Sequence, residues 1–220
     1  MKRYLPFLIV GIVALLMLGG GALLYRAKRP PTLTIPKGGM ASANDAIHVR
    51  GNPKAAVTLE EFGDFECPPC SQLAVTIKAV EHDLGDRVRV VFRHFPLINH
   101  AHAREAAYAA EAAGLQGRFW EMHDLLYKEQ AGWSKANDGQ RLFVAYAGIL
   151  GLNAERFAQD MKSEQVKNRV DADVKRGSTL GVTNTPTVFI NNTALPFTSL
   201  HPVALRAAIE NATVNPGDKQ

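Results

Sequence analysis

Two kinds of hydrophobic pattern alternate along the first half of the chain. The segments VTLEEF (57–62) and RVRVVFRHF (87–95) are short and rich in β-branched and aromatic residues, which favours strands. Between them, residues 68–84 repeat apolar positions at helical spacing, and Gly85 follows the last of these positions. The pattern predicts a strand–helix–strand unit with the length of a βαβ crossover.

From about residue 101 to residue 180 the pattern is helical. An alanine stripe at helical spacing predicts a surface that another helix can approach closely, and Asn153 predicts the N-cap of a later helix. The stripe consists of Ala103, Ala106, Ala107, Ala110 and Ala113. A β pattern returns in TPTVFIN (185–191), with a weak strand near 194–198 and a closing helix over 201–211. We therefore expect a small α/β unit with a mixed sheet, into which a helical block is inserted.

The N-terminus carries an apolar segment that differs from the rest of the chain. Residues 4–25 contain no charged side chain, and this length can span a hydrocarbon core of about 30 Å. We interpret residues 1–29 as a signal-anchor or transmembrane segment or, alternatively, as a signal peptide that is cleaved near the small residues 19–22. Both interpretations place the folded part outside the cytoplasm, where disulfides persist.

The remaining boundaries follow from composition. Residues 30–50 hold three prolines and two adjacent glycines, which predicts a flexible tether. We expect the folded domain over 51–214, with its helical insertion at about 101–165, and a disordered tail over 215–220. The chain has a net charge of +4, but five of its 25 basic residues and none of its 21 acidic residues lie in 1–29. Residues 30–220 therefore carry 20 basic and 21 acidic residues, a net charge of −1, which does not favour nucleic-acid binding.

The two cysteines of the chain both lie in FECPPC (65–70). A structural bridge between Cys67 and Cys70 would close a very short loop and constrain little of the unfolded chain. A metal site would need further ligands, for which His94, His100, His102 and His123 are candidates, and a soft ion such as copper(I) would suit the thiolates better than zinc. We therefore consider redox chemistry the leading interpretation, and we predict no metal.

The redox interpretation depends on the position of the pair at the start of the predicted helix. Cys67 would lie at the helix N-terminus, where unpaired N–H groups and the helix dipole favour a thiolate. Pro68 suits the first helical turn because its missing N–H has no partner to lose there. Cys70, one turn later, faces the same way and can attack a mixed disulfide formed on Cys67. The pair would cycle between dithiol and disulfide and would need no cofactor other than this redox-active disulfide.

Four segments together resemble the DsbA-like branch of the thioredoxin superfamily, in particular the membrane-tethered or exported bacterial thiol-disulfide oxidoreductases of the BdbD type. These segments are FGDFECPPC, FRHFPL, AAYAAEAAGLQGRFWEMHDLLY and GVTNTPTVFIN, and the resemblance extends over roughly residues 48–212. It implies a thioredoxin-like α/β fold with an inserted all-helical block, preceded here by the hydrophobic N-terminal segment.

The resemblance also implies roles for individual residues. Cys67 matches the nucleophile, Cys70 the resolving cysteine, and Pro186 a proline that is cis and faces the active site. Thr185 lies where the backbone pairs with an extended substrate strand. Glu61 matches a buried acid that assists proton transfer to the resolving cysteine, and burial on a central strand would raise its pKa. The alternative for Glu61 is a solvated carboxylate on an edge strand.

Two further expectations concern the surroundings of the cysteines. Phe65, Pro68 and Pro69 are candidates, together with the Thr185–Pro186 loop, for a shallow apolar substrate rim, although Phe65 could equally belong to the core. Strongly oxidising DsbA-like proteins often have histidine where this chain has Pro69. We therefore expect Cys67 to be less acidic than in those proteins and the pair to have an intermediate reduction potential.

The leading functional hypothesis is a monomeric dithiol oxidase that donates a disulfide to cysteine-containing exported proteins and is reoxidised by a quinone-linked membrane partner. One alternative is a reductase or isomerase kept reduced by a membrane donor, and another is a copper(I) chaperone. We expect a single-pass protein of the cytoplasmic membrane with its catalytic domain in the periplasm or extracytoplasmic space, or a soluble periplasmic protein after signal cleavage.

Overall fold

A computed structural model describes residues 48–214 of the protein. The predicted membrane or signal segment over 1–29, most of the predicted tether and the predicted tail over 215–220 lie outside the described residues. Within residues 48–214, no helix is both long enough and apolar enough to cross a membrane.

The centre of the fold is a mixed sheet of five strands. In chain order these are β1 (Val49–Gly51), β2 (Val57–Gly63), β3 (Val88–His94), β4 (Thr187–Ile190) and β5 (Thr193–Ala194). Their spatial order is β1-β3-β2-β4-β5, with β2 and β3 parallel and every other pair antiparallel. The predicted mixed sheet is therefore confirmed, and β2 is its central strand.

Eight helices in the described part of the chain surround this sheet. They are α1 (Pro68–Leu84), α2 (Ala103–Gly114), α3 (Phe119–Lys128), α4 (Gln130–Trp133), α5 (Gly139–Ile149), α6 (Ala154–Asp160), α7 (Glu164–Thr179) and α8 (Pro202–Val214). Helix α1 forms the predicted crossover between the parallel strands. Helices α2 to α7 separate β3 from β4, as expected for a helical insertion.

The apolar pattern accounts for how the two parts pack. Val57 and Leu59 on β2 pack with Leu73 and Ile77 on α1 in the core of the α/β unit. The alanine stripe on α2 is buried in the core of the helical block, and the predicted N-cap is confirmed because the Asn153 side chain accepts a hydrogen bond from the Arg156 N–H. The predicted α/β fold with an inserted helical block is thus confirmed.

Several predicted boundaries differ from the structure. The insertion was expected to end at about residue 165, but the helices between β3 and β4 continue to Thr179, and the closing helix extends to Val214 instead of residue 211. The tether was expected to reach residue 50, but Val49–Gly51 already forms β1, which is too short to show an alternating pattern. The weak strand expected near 194–198 is confined to Thr193–Ala194, and a 3₁₀ turn follows at Phe197–Ser199. Pro196 explains the early end, because a proline has no N–H to donate to a neighbouring strand.

Candidate active site

The two cysteines lie at the start of α1, immediately beyond the central strand. Cys67 is the N-cap residue of this helix, and Pro68 and Pro69 occupy its first positions with their side chains exposed. The N–H groups of Cys70 and Ser71 donate to the Cys67 carbonyl at 3.1 Å and 3.3 Å. The chain therefore places Cys67 where helix N–H groups and the helix dipole favour negative charge.

A segment far away in sequence meets Cys67 from the other side. The Thr185–Pro186 peptide bond is cis, and it directly precedes β4, which pairs with β2. The Cys67 thiol donates a hydrogen bond to the Thr185 carbonyl oxygen, with 3.4 Å between Sγ and the oxygen. The structure thus brings together Cys67, Cys70, Thr185 and Pro186.

The pKa values of the two thiols are shifted in opposite directions. A hydrogen bond from the Cys70 thiol is the main cause that lowers the pKa of Cys67 to about 6, although burial opposes this shift. Burial and the neighbouring Cys67 raise the pKa of Cys70 well above its ordinary value. Because the thiolate is the nucleophile in disulfide exchange, Cys67 is suited to attack first and Cys70 to remain protonated until the second step.

Glu61 lies inside the protein on the central strand, not at a solvated edge. Its side chain is 2% exposed, and Oε1 has no hydrogen-bond partner among residues 48–214. Burial raises the pKa of this carboxyl to about 8, with a smaller contribution from Cys67 and an opposing one from Arg50. The expected direction of the shift is therefore found, and a carboxyl with this pKa can give or take a proton near neutral pH.

One candidate for the substrate rim is wrong. Phe65 is only 1% exposed, and its ring stacks on Phe92 with 5.2 Å between the ring centroids. Its apolar surface is worth more in the aromatic core than at an exposed edge, so it supports the active-site turn from below. Pro68 and Pro69 are exposed and Thr185 is partly exposed, so these three remain candidates for contact with a substrate.

Sequence reasoning missed two side chains that hold the active-site turn. The buried Asp64 carboxylate accepts hydrogen bonds from the N–H groups of Glu66 at 2.7 Å and Leu97 at 2.9 Å, and it pairs with His100 Nδ1 at 2.7 Å. Gln130 Nε2 donates to the carbonyl oxygens of Phe65 at 2.6 Å and Cys67 at 3.0 Å. Asp64 lies within the FGDFECPPC segment, which could have suggested it, whereas no local signal marks Gln130.

The histidines considered as metal ligands are engaged elsewhere. His94 joins His48 and Glu111 in a buried cluster, and the ligand atoms of these three residues lie within 4.8 Å of one another. The distances from Glu111 Oε1 to the two Nε2 atoms, 2.8 Å and 2.9 Å, are those of hydrogen bonds. The guanidinium of Arg169, 3.8 Å from Glu111, already supplies a positive charge beside this cluster.

With this geometry established, three comparisons place the chain among known proteins. Residues 43–211 match a family model described as thioredoxin. A thioredoxin-like oxidoreductase from Silicibacter pomeroyi superposes with a TM-score of 0.68 at 26% identity, over 81% of this chain and 98% of that one. Oxidised BdbD from Bacillus subtilis gives a TM-score of 0.68 at 24% identity, over 79% of this chain and 95% of that one.

Two curated relatives are similar to about two thirds of the chain. The chain is 43% identical over 149 residues to Na(+)/H(+) antiporter NhaA 1 of Mycolicibacterium gilvum, covering 66% of this chain and 23% of the antiporter. It is 41% identical over 148 residues to Na(+)/H(+) antiporter NhaA 1 of Salinispora arenicola, covering 67% of this chain and 22% of the antiporter. The chain thus spans less than a quarter of the length of these relatives.

The family model covers most of the chain, and each of the two structural neighbours superposes on about four fifths of it with a TM-score of 0.68. The resemblance inferred from the four sequence segments is therefore confirmed. The predicted class of enzyme, a protein thiol-disulfide oxidoreductase, agrees with this family. The chain belongs to the thioredoxin family.

Proposed function

We propose that the protein is a dithiol oxidase that transfers the Cys67–Cys70 disulfide to cysteine-containing substrate proteins. The observation that carries this proposal is the pKa of about 6 for Cys67 at the start of α1. A stabilised thiolate favours the dithiol form over the disulfide, which makes the disulfide a better oxidant. Thioredoxin, a reductant, has a nucleophilic cysteine with a pKa of about 7, and the strong oxidant DsbA has one of about 3.5.

Each residue of the site has a role in this proposal. A substrate thiolate attacks the Cys67 sulfur, the Cys67–Cys70 bond breaks, and Cys70 leaves as a thiolate while the substrate stays bound to Cys67 as a mixed disulfide. A second substrate thiolate then attacks the substrate sulfur of the mixed disulfide, so the substrate leaves oxidised and Cys67 leaves as a thiolate. Glu61 supplies the proton that Cys70 needs when it leaves. The exposed Pro68 and Pro69 and the backbone of Thr185 would contact the extended substrate.

The cellular setting is part of the proposal. The apolar residues 4–25, flanked by basic residues, support export or anchoring in the cytoplasmic membrane, with the catalytic domain outside the cytoplasm. Exported proteins with unpaired cysteines would be the substrates, and a quinone-linked membrane protein would restore the disulfide. Transport is not part of this proposal, because the chain spans less than a quarter of the antiporters it resembles.

The test is a direct transfer of the disulfide. The oxidised chain is mixed with a reduced peptide that carries two cysteines, and both products are separated by mass after acid quenching. We expect the peptide to become oxidised and the chain to become a dithiol, with one disulfide transferred per chain. A peptide that remains reduced while reduced chain readily reduces an oxidised peptide would instead favour a reductase.

A matched variant identifies the attacked sulfur. In Cys70→Ser, a mixed disulfide formed between Cys67 and a substrate cannot be resolved from within the protein. We expect the Cys67 thiolate of this variant to attack the disulfide of the oxidised peptide, with one peptide sulfur leaving as a thiolate, and the resulting covalent complex to accumulate until dithiothreitol reduces it. Absence of the complex would contradict the assignment of Cys67 as the nucleophile.

A further inference from the structure

Three buried polar atoms on β2 and α3 have no hydrogen-bond partner within residues 48–214. They are Glu61 Oε1, the Tyr127 hydroxyl oxygen and His123 Nε2, and the three residues are 2%, 4% and 2% exposed. Leaving a buried polar group unpaired costs about 1–3 kcal/mol, so native proteins rarely keep several of them on packed neighbouring elements. Their presence together therefore calls for a function.

The Tyr127 hydroxyl lies on the same side of the sheet as Glu61. A Cβ atom built on Gly63 would come within 2.9 Å of the Tyr127 hydroxyl oxygen, so the hydroxyl occupies the space above Gly63. Glu61 and Gly63 are two residues apart on β2, and side chains at that spacing point to the same face. The hydroxyl is thus one side-chain position away from Glu61.

The state of Tyr127 is also set by this neighbourhood. Burial, and after it the charges of Cys70 and Glu61, raise the pKa of Tyr127 well above its ordinary value. The hydroxyl therefore keeps its proton and can donate one hydrogen bond while accepting another.

His123 extends this arrangement towards the surface. It lies one turn before Tyr127 on α3, and the two rings are 5.0 Å apart between centroids and nearly perpendicular. His123 Nδ1 is 3.0 Å from Asp124 Oδ1. A carboxylate can only accept, so Nδ1 carries the hydrogen and Nε2 of the neutral ring is an acceptor that faces the interior. Burial lowers the pKa of His123 to about 4, which keeps the ring neutral at neutral pH.

Asp124 connects the inner residues with solvent. Its side chain is 34% exposed and accepts a hydrogen bond from the exposed Lys78 at 2.6 Å. Although burial opposes this, hydrogen bonds from His123 and Lys78 hold the pKa of Asp124 well below its ordinary value, so Asp124 remains a carboxylate that passes a proton on to solvent. Donor and acceptor groups thus follow one another from the central strand to the surface. The charged and titratable groups acting on this series are Arg50, Asp64, Cys67, Cys70, Lys78, His94 and Asp124.

We propose that Tyr127 and His123 form a proton path that joins Glu61 inside the protein to Asp124 at its surface. The proposal rests on thiol-disulfide exchange at Cys67 and Cys70 and adds the route by which the proton of that exchange reaches solvent. An internal water, which typically makes about three hydrogen bonds to buried polar groups, would join neighbouring members of the path.

The path is needed because the exchange releases a proton in a closed space. When Cys70 resolves a mixed disulfide, its sulfur bonds to Cys67 Sγ, the bond from Cys67 to the outer sulfur breaks, and the outer group leaves as a thiolate with the electron pair. Glu61, which is protonated at rest, first releases its own proton to the path, and its carboxylate then takes the proton of Cys70. Cys70 is fully buried, Cys67 is 5% exposed and the outer group covers it, so Glu61 must return its proton by another route. Tyr127 and His123 act through Glu61 and are positioning residues for its proton.

The experiment follows the resolution step with Ellman's reagent and the full chain. Reduced protein releases a first thionitrobenzoate when Cys67 is modified and a second when Cys70 displaces the one bound to Cys67. Tyr127→Phe removes a single oxygen and retains the ring that packs 4.9 Å from the ring of Phe65. We expect its second phase to be about tenfold slower between pH 6 and 7, with a larger solvent deuterium effect and recovery upon addition of imidazole.

Two controls make the result decisive. Tyr146→Phe removes the hydroxyl of a partly buried tyrosine on α5 and should behave as the unmodified chain. His123→Asn retains a donor to Asp124 but lacks the inner acceptor, so its second phase should also be slower. This variant supplies the test should Tyr127→Phe fail to fold. Equal rates in Tyr127→Phe and the unmodified chain would overturn the path. A slowing that is independent of pH, deuterium and imidazole would also overturn it, because it would indicate packing alone.

The proposed function fails separately. If the unmodified chain shows the same second phase as Cys70→Ser, Cys70 does not resolve the mixed disulfide and the exchange itself is wrong. If the second phase requires Cys70 but its rate is unchanged in Tyr127→Phe and His123→Asn, the proposed exchange is supported and only the proton path is wrong.

Discussion

The two faces of the central strand β2 each bury a glutamate side chain, but the surroundings of the two carboxyl groups differ. Glu60 and Glu61 are adjacent, so alternation along the strand directs them to opposite sides of the sheet. Both are almost completely buried, at 5% and 2% exposed. The Glu60 carboxylate pairs with two arginines, whereas Glu61 Oε1 has no hydrogen-bond partner within residues 48–214. The comparison separates a glutamate that stabilises the fold from one that is suited to proton transfer.

On the Glu60 face, the carboxylate is paired with two arginines. Glu60 accepts hydrogen bonds from Arg93 Nε at 2.9 Å and from Arg176 Nε and Nη2 at 2.9 Å and 3.0 Å. Arg93 also donates to Asp173 on α7 at 3.0 Å. This network fastens α7, the last helix of the insertion, to the sheet. Buried charges of this kind are tolerated only when their partners are in place.

On the Glu61 face, the carboxyl is left without a partner next to the two thiols. Its pKa of about 8 means that it is protonated over most of the neutral range and can ionise when a neighbour requires it. Pairing with an arginine would fix the charge and remove this ability. The strand therefore uses one glutamate for stability and the next for proton transfer.

The largest effect is expected where the matched face is broken. Glu60→Gln removes the carboxylate that Arg93 shares with the partly buried Arg176 and leaves buried Arg93 with Asp173 alone, so the free energy of unfolding should fall by about 3–5 kcal/mol. Denaturant unfolding of this variant and of the unmodified chain measures the difference. The rate of disulfide exchange by the folded fraction should not change. A loss below about 1 kcal/mol would contradict the role assigned to this network.

The matching change on the other face should act on the rate. Glu61→Gln retains the size of the side chain but removes the proton acceptor, so resolution of a mixed disulfide by Cys70 should slow by about a hundredfold. Stopped-flow release of thionitrobenzoate measures this step. Stability should remain the same or increase, since an unpaired buried carboxyl has been removed. A normal rate in Glu61→Gln would show that Cys70 loses its proton elsewhere.

The unmatched carboxyl also predicts how stability depends on pH. Unfolded Glu61 ionises near its ordinary pKa of 4.5, whereas folded Glu61 retains its proton up to about pH 8. The folded state binds more proton within this window, so its contribution to stability is complete below pH 4.5 and is lost as pH rises through 8. The slope should approach about 1.4 kcal/mol per pH unit in the middle of the window.

Comparison of variants isolates this term from the other titrating groups. Unfolding free energies of the unmodified chain and of Glu61→Gln are measured at several pH values between 5 and 8. The unfolding free energy of the unmodified chain should fall, relative to that of Glu61→Gln, as the pH rises from 5 to 8. Parallel curves would mean that the pKa of Glu61 is the same in the folded and unfolded states.

The smallest effect concerns the acid beside the nucleophile. The Asp64 carboxylate opposes ionisation of Cys67, so Asp64→Asn should lower the pKa of Cys67 by less than about one unit. Ultraviolet absorbance of the thiolate as a function of pH measures the shift. Asparagine retains an oxygen that can accept one of the loop hydrogen bonds. A rise in the pKa would indicate that the loop held by Asp64 matters more than its charge.

Local sequence was sufficient for the elements that carry the cysteines. Helix α1 was predicted over 68–84 and runs from Pro68 to Leu84, because its apolar spacing and the prolines at its start are local signals. The same local signals placed Cys67 at the helix N-terminus. The alternation of side chains on β2 places Glu60 and Glu61 on opposite sides of the sheet, but it does not indicate which side carries the arginines.

The rest depends on contacts between distant parts of the chain. Thr185 lies 118 residues from Cys67, and only the family resemblance connected the two. Gln130 and Tyr127 reach the site because the helical insertion docks beside the active-site turn, and no pattern within α3 or α4 specifies that docking. Phe65 was ambiguous for a related reason: one aromatic residue before a helix can face solvent or core, and the surrounding aromatic cluster determines the outcome.

The most direct test of the account is the reduction potential of the Cys67–Cys70 pair, measured by equilibrating the full chain in glutathione buffers. With a Cys67 pKa of about 6 and no histidine between the cysteines, the account predicts a value well above the about −270 mV of thioredoxin and below the about −120 mV of DsbA. Such a value would mean that the disulfide is ready to be donated. A value at or below that of thioredoxin would mean that the dithiol is the working form, and it would contradict the proposed oxidase.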